Sequence, residues 1–128
     1  MGWKPAGSAA ALLLALTACE DGAPEQNRTS IKAANPYVDQ LKALNEVNRG
    51  LGLRRAILDT PRGKCKKVDY SGYQQDHRNM SMWVVRCSDG NDWAVFIAPN
   101  GDVQVRSCPD VKTLALPECR FPPPAKPR

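Results

Sequence analysis

The sequence predicts an α+β domain, in which an N-terminal helix or helix pair packs on an antiparallel sheet of about four strands, fastened by disulfides. Three observations predict this class. Apolar residues recur at helical spacing in the first half of the chain, and from Lys64 onward their spacing changes to two. The dipeptides Asp89-Gly90 and Asn100-Gly101 favour tight turns between strands. With 128 residues, the chain has room for one such domain.

An export signal precedes this domain. Residues 1–18 carry a positive charge at Lys4, then an apolar run from Ala9 to Leu16, and end in small residues. This order is typical of a secretory signal peptide. The apolar run has about half of the roughly 20 residues that a membrane-spanning helix needs. We therefore expect a signal peptide that is cleaved and does not span the membrane.

The end of this signal, Leu16-Thr17-Ala18-Cys19, resembles the lipobox of bacterial lipoprotein precursors, an aliphatic residue followed by two small residues and a cysteine. The resemblance covers the first 19 residues. It implies that Cys19 begins the mature chain and carries a diacylglycerol thioether, usually with an N-acyl group. Two or more acyl chains anchor a protein stably in a bilayer. The resemblance thus implies a bacterial cell-envelope protein that faces the periplasm, with the inner and outer membranes both open.

Five cysteines are an odd number for an exported protein, so one of them needs a separate role. Lipidation of Cys19 supplies that role and leaves four cysteines for two disulfides in an oxidising compartment. The favoured pairing joins Cys65 to Cys87, which links neighbouring strands, and Cys108 to Cys119, which closes a short loop. The chain has no Cys-x-x-Cys pair, and its cysteine spacings match no zinc site.

The mature chain divides into three parts. Residues 19–35 are polar and lack apolar periodicity, which predicts a flexible tether. Residues 36–120 are predicted to form the single folded domain. Residues 121–128 contain four prolines and are predicted to form an extended tail.

The helical part of the domain begins at Asn35, whose side chain can cap the first free N–H groups, with Pro36 at the first helical position. An apolar stripe follows at intervals of three and four residues, made of Tyr37, Leu41, Leu44 and Val47. Gly50 is the predicted end of this helix. Residues 53–58 are predicted as a second short helix, and a single kinked helix over residues 36–59 is the alternative.

The remainder of the domain is predicted as antiparallel strands. Three strands flank the two glycine turns, and a fourth precedes them; the four cover residues 65–73, 81–88, 91–98 and 102–108. The polar residues 74–79 are predicted as a loop.

Turns of two residues would place Ser88 opposite Asn91, and Pro99 opposite Asp102, and this register sorts the side chains by face. The face predicted to lie under the helix as the core contains Trp83, Val85, Cys87, Ala94, Phe96, Ala98, Val103 and Val105. The other face has mixed polarity and contains Met82, Val84, Arg86, Trp93, Val95, Ile97, Gln104, Arg106 and Cys108. We expect the segment after Cys108 to fold Val111, Leu114 and Leu116 over Trp93, Val95 and Ile97.

No catalytic constellation is recognisable in the sequence. His77 is the only histidine, it lies in the predicted polar loop beside Asp76, and no motif places a nucleophile near it. Three carboxylates near the turns, Asp89, Asp92 and Asp102, lack the spacing of a calcium loop. We therefore predict a protein that is not an enzyme and that takes no cofactor, metal ion or small-molecule substrate.

Two groups of residues are candidates for binding a partner. The segment from Arg49 to Lys67 holds seven basic residues against one acid, and we assign Arg54, Arg55, Lys66 and Lys67 to contacts with anionic lipid head groups or with an acidic partner. On the mixed sheet face, tryptophan between two arginines is typical of protein interfaces, and these residues are Arg86, Trp93 and Arg106.

These features predict a lipid-anchored recognition module or accessory subunit that docks an envelope protein or complex through the sheet face and the basic residues. The formal net charge of +5 permits contact with anionic surfaces, but export argues against nucleic acid as the partner. The alternative is an inhibitor of a periplasmic hydrolase, such as a protease or a lysozyme-like enzyme, that inserts the loop 74–79.

Overall fold

The structure is a computed structural model, and it describes residues 34–123 together with Gly2 and Gly7. The predicted signal peptide, the lipidation site Cys19, most of the predicted tether and the end of the predicted tail lie outside the described residues. Within the described part of the chain, none of the helices combines the length and the apolar character needed to cross a bilayer.

The α+β class is confirmed, with three helices and a four-stranded antiparallel sheet. The helices are α1 (Pro36–Ala43), α2 (Glu46–Leu58) and α3 (Cys108–Thr113). The strands are β1 (Val68–His77), β2 (Met80–Cys87), β3 (Asp92–Ile97) and β4 (Val103–Ser107). Neighbours in the chain are neighbours in the sheet, so the strand order is β1-β2-β3-β4.

The break between α1 and α2 lies before Asn45 rather than at Gly50. The Asn45 side chain accepts a hydrogen bond of 2.9 Å from the backbone N–H three residues later, and this cap begins α2. Gly50 lies inside α2, where a Cβ atom would be 3.2 Å from Cγ1 of Val68. Glycine thus lets α2 approach β1 closely. The predicted helix end at Gly50 and the single helix over 36–59 were wrong. The second helix predicted over 53–58 ends at Leu58 as expected but begins earlier, at Glu46.

Both glycine turns contain three residues rather than the predicted two. At the first turn, the Cys87 N–H donates to the Asn91 carbonyl at 3.0 Å, and Gly90 has a φ angle of +84°. The second turn repeats this pattern, with a φ angle of +92° at Gly101. A three-residue hairpin of this kind is a type I turn followed by a left-handed residue, a conformation that glycine adopts without steric cost.

The extra residue in the first turn shifts the pairing of β3 with β2 by one residue. Each β3 side chain therefore lies on the sheet face opposite to the predicted one. Arg86 faces Asp92, where a two-residue turn would have placed Trp93. A shift of one residue moves every side chain of a strand to the opposite face, so the predicted faces were wrong for β3. The second turn shifts β4 once more, and Val105 therefore keeps its predicted face. Trp93, Val95 and Ile97 lie with Trp83 under the helices, while Ala94 and Phe96 lie on the other face.

Residues 74–79 are not a loop. β1 continues to His77, which pairs with Met80, and the turn between them consists of Arg78 and Asn79. Both turn residues have positive φ angles, 47° and 63°, as a two-residue type I′ turn requires. The prediction of a loop here was wrong, and the inhibitor hypothesis thereby loses the loop that it assigned to insertion.

Both faces of the sheet are covered. On one face, Leu53 and Ile57 of α2 pack in a cluster with Trp83. On the other face, Val111 of α3 packs in a second cluster with Phe96. The segment after β4 thus covers the face of Met82 and Val84, as predicted. On β3 it meets Ala94 and Phe96 instead of the predicted Trp93, Val95 and Ile97, because the register shift had exchanged the two faces of that strand.

Both predicted disulfides are confirmed. Cys65–Cys87 joins the segment before β1 to the end of β2, with Cα atoms 5.4 Å apart. Cys108–Cys119 joins the start of α3 to the C-terminal segment, with Cα atoms 5.7 Å apart. The Gln74 side chain fastens that segment further, because it donates to one of its carbonyls at 2.8 Å and accepts from one of its N–H groups at 2.7 Å.

Ala115 follows α3 with a φ angle of +54°, a left-handed conformation that costs a residue with a Cβ atom about 1–2 kcal/mol. Ala115→Gly is expected to raise the free energy of unfolding in urea by about 0.5–1 kcal/mol, because part of the relief is offset by the greater unfolded-state freedom of glycine. The control Ala43→Gly, in α1, should lower it by up to about 1 kcal/mol. A loss of stability at both positions would contradict the strain at Ala115.

Candidate functional site

The structure separates Trp93 from the two arginines that were predicted to share its sheet face. Trp93 is 9% exposed, lies in the cluster under α2, and its indole Nε1 donates to the Lys64 carbonyl at 2.9 Å. Arg106 is paired opposite Ala94, whose side chain lies on the other face of the sheet. The side chains of Trp93 and the two arginines therefore lie on opposite faces of the sheet because of the register shift of β3, although Trp93 and Arg106 both line the groove along β4.

Arg86 is engaged within the protein. Its guanidinium donates twice to the Asp92 carboxylate, both times at 3.2 Å, and lies 4.1 Å from the centroid of the Phe121 ring. The hydrogen bond with Asp92 outweighs burial and raises the pKa of Arg86 above its ordinary value. The charged side chain thus holds Phe121 against the sheet by a cation–π contact.

β4 is an open edge of the sheet, since β3 is its only neighbour among the described strands. The Ala98 N–H donates to the Asp102 carbonyl at 2.9 Å, and the backbone groups alternate in direction from this pair onward. The backbone groups that point away from β3 are the N–H and carbonyl groups of Val103 and Val105 and the N–H group of Ser107. The Ser107 carbonyl belongs to the N-cap residue of α3. The edge is partly shielded, because the Arg106 guanidinium donates to the outward carbonyl of Val105 at 3.1 Å, a protection typical of natural edge strands.

Two grooves follow this edge. The first has a volume of about 360 Å³, lies between α1, α2 and the start of β4, and is lined by exposed Tyr37, Leu44 and Val103 among other apolar residues. Asn35 fixes α1 beside it by donating to a carbonyl of β3 at 2.8 Å. The second groove, of about 450 Å³, runs along β4 beside Arg62 and its neighbours.

A third surface joins most of the predicted basic residues to exposed apolar side chains. We call it the α2 basic surface; its residues are Val47, Leu51, Arg54, Lys66 and Lys67, which line a groove of about 400 Å³. Val47 and Leu51 are 71% and 58% exposed. Sequence reasoning identified the three basic residues, assigned Val47 to packing and did not single out Leu51.

Hydrogen bonds from the guanidinium of Arg54 and from the backbone of Lys66 position this surface, while Lys66 and Lys67 are exposed. Arg54 Nε donates to the Cys65 carbonyl at 2.8 Å, and the Lys66 N–H donates to the Asp89 carboxylate at 3.3 Å. Burial raises the pKa of Asp89, but hydrogen bonds from Asn91 and Lys66 outweigh it and hold that pKa below its ordinary value. Arg55, the fourth predicted basic residue, does not line this groove and pairs with Asp59 at 3.1 Å.

His77 does not lie in a polar loop as predicted. It is the last residue of β1, its ring packs edge-on against Phe96 at a centroid distance of 6.2 Å, and its Nε2 atom is buried without a hydrogen-bond partner. In the part of the chain that the structure describes, no three His, Cys, Asp or Glu side chains are grouped as metal ligands would be.

Comparison with protein-family models, curated proteins and solved structures found no match to this chain. Its function is therefore inferred from its own surfaces. In the described part of the chain these include the open edge of β4 and the α2 basic surface.

Proposed function

We propose that this protein is a lipid-anchored protein of the bacterial cell envelope, attached through Cys19 and facing the periplasm. Its folded domain is a non-catalytic recognition module that docks an extended segment of an envelope protein along β4. The observation that carries this proposal is the open edge of β4 with apolar grooves beside it.

An edge strand and an adjacent groove supply the two requirements of strand addition. The outward backbone groups of Val103 and Val105 and the N–H group of Ser107 offer hydrogen bonds to an extended chain, and these give affinity. The groove beside Val103 and Tyr37 takes an apolar side chain of the added segment, and this gives specificity.

The same edge favours an acidic residue in the partner. Arg106 donates to the Val105 carbonyl, a contact that strand addition must replace. Arg62 and Arg106 line the groove along β4 with one acid, Asp110, so the groove keeps a positive excess. A carboxylate binds a guanidinium more strongly than a neutral carbonyl does. The partner that fits is thus an extended segment with an apolar side chain near Tyr37 and a carboxylate near Arg106.

The test places a photo-crosslinking amino acid in the full chain, in its native envelope, at Val103 or at Leu114. The two positions are 46% and 51% exposed, and Leu114 follows α3. We expect one discrete protein adduct from position 103 and none from position 114. Ser107→Pro removes an outward N–H at a φ angle of −67°, which proline adopts, and should lower the adduct yield roughly tenfold without changing the urea midpoint.

Two results would contradict the proposal. Equal adduct yields at both positions, or a yield that Ser107→Pro leaves unchanged, would exclude docking along β4. Intact mass spectrometry of the same purified chain tests the anchor separately: we expect Cys19 to carry the acyl groups, and an unmodified Cys19 would exclude the lipid attachment while leaving the docking result in force.

A further inference from the structure

We infer that the α2 basic surface seats the domain on an anionic lipid bilayer, with Val47 and Leu51 in the interfacial layer and the basic side chains among the head groups. This inference rests on the proposed lipid anchor. It concerns a side of α2 different from the one that lines the groove at β4.

The apolar half of this surface is a row rather than a set of scattered residues. Val47, Leu51 and Leu58 are separated by four and seven positions, so they lie on one side of α2. Their exposed fractions are 71%, 58% and 40%. Single exposed apolar residues are ordinary, but a row along one side of a helix, rimmed by cations, is typical of a helix that lies in a membrane interface.

The positive charge of the chain is concentrated in the segment that contains this row. Three of its basic residues, Arg54, Lys66 and Lys67, line the groove beside the row, whereas Arg62 lines the groove along β4. Residues 46–67 contain seven basic and two acidic residues, a net charge of +5 that equals the net charge of the whole chain. The rest of the sequence is therefore balanced. Three acids lie near this row. Asp59 pairs with Arg55, Glu46 lines the groove, and Asp69 lines a neighbouring groove with Val47, so the basic residues still outnumber the acids.

The positive charge of the α2 basic surface favours an anionic lipid leaflet over a second copy of the chain as its partner. A second copy of the chain would bring two positive surfaces face to face, which costs binding energy. Among the described residues, neither the Lys66 nor the Lys67 amino group belongs to an ion pair, and both side chains are exposed. An anionic leaflet neutralises both amino groups while its acyl boundary accepts Val47 and Leu51.

Because the predicted tether is short, weak contacts between the domain and the lipid are enough to orient the domain on the membrane. Residues 20–35 number 16, and even a fully extended chain of that length spans at most roughly 55 Å. A domain anchored at Cys19 therefore remains close to the leaflet, where its effective concentration is high. Each cation near an anionic leaflet contributes about a factor of five to binding, so a few cations decide which side of the domain rests on the lipid.

The test reconstitutes the processed full-length protein in vesicles of brominated phosphatidylcholine mixed with phosphatidylglycerol. Leu51→Trp introduces a fluorophore that brominated lipid quenches on contact, while Trp83 and Trp93 are buried. Leu114→Trp, at a position of similar exposure, is the matched control. We expect quenching at position 51 and none at position 114. Lys66→Ala/Lys67→Ala in the Leu51→Trp chain should lower the ratio of seated to unseated domains roughly 30-fold.

Each alternative result decides a separate question. Quenching at position 51 that persists in vesicles of phosphatidylcholine alone, or that Lys66→Ala/Lys67→Ala leaves intact, overturns the electrostatic seat. Equal quenching at both positions would contradict a membrane contact through the α2 basic surface, and so would the absence of quenching at either position while the acylated chain stays vesicle-bound. Both results are compatible with lipid attachment through Cys19. The α2 basic surface would then be available to an acidic protein. If mass spectrometry finds no acyl group, the anchor fails, and quenching at high vesicle concentration still decides the seat.

Discussion

Trp93→Ala should lower the free energy of unfolding by about 3–5 kcal/mol, the cost typical of removing a buried aromatic side chain. Trp93 is 9% exposed and lies in the cluster that contains Leu53 and Ile57. The substitution also leaves the Lys64 carbonyl without the indole N–H that donates to it. Urea denaturation followed by circular dichroism measures the change.

This experiment tests the burial of Trp93 under α2. In the predicted register the segment after Cys108 would cover Trp93 as well, so the size of the loss reports burial and not the register. Val103→Ala, at a position that is 46% exposed, is the control and should change the stability by about 0.5 kcal/mol or less. A loss at Trp93 as small as the loss at Val103 would contradict the packing of Trp93 in the cluster with Leu53 and Ile57.

The sequence located both glycine turns but could not give their length. A left-handed glycine is required in a two-residue type I′ turn and also in a three-residue turn closed by a left-handed residue. Asp89-Gly90 and Asn100-Gly101 satisfy both, so the local signal is the same. What separates the two turns is the packing of β3 side chains on α2 and α3, which is not a local property of the sequence.

The helices show a similar division between local and distant causes. Asn45 is a residue type that often caps the start of a helix, and glycine is a residue type that often ends one. From the sequence alone, Gly50 was therefore the predicted helix end. Gly50 is tolerated inside α2 because its bare backbone meets Val68, which is 18 positions away in the chain. That contact outweighs the low helix propensity of glycine, and no pattern near Gly50 predicts it.

The break at Asn45 also explains what was missed at the α2 basic surface. The predicted apolar stripe ran from Tyr37 to Val47 on the assumption of one continuous helix. Because α2 is a separate helix that begins at Glu46, its residues do not continue the helical spacing of α1. Val47 therefore need not lie on the same face as Tyr37. The clustering of basic residues needed no such geometry, and it identified Arg54, Lys66 and Lys67 from the sequence alone.

The open edge of β4 was within reach of the sequence, because successive hairpins place the last strand at a sheet edge. The grooves beside it were not. They depend on the position of α1, which Asn35 fixes through a hydrogen bond to Ile97, 62 positions away. Local signals therefore located the edge strand, whereas the distant contacts of α1 determine what the edge can bind.

Replacing Cys65 and Cys87 by alanine should lower the free energy of unfolding by about 3 kcal/mol, because the open chain gains conformational freedom in the unfolded state. The matched control is Cys108→Ala/Cys119→Ala. Its disulfide joins residues 11 positions apart, against 22 for Cys65–Cys87. Halving the loop reduces the expected loss by roughly 0.6 kcal/mol. Urea denaturation of both double variants under non-oxidising conditions provides the comparison.

The two double variants are expected to differ in lipid contact as well as in the free energy of unfolding. Cys65–Cys87 also holds the segment whose Cys65 carbonyl accepts from Arg54 and whose next two residues are Lys66 and Lys67. Its removal should therefore reduce lipid quenching at position 51 as well as stability, while removal of the other disulfide reduces stability alone. A larger loss of stability from Cys108→Ala/Cys119→Ala would contradict the loop-length account, because the covering of the second sheet face would then outweigh chain entropy.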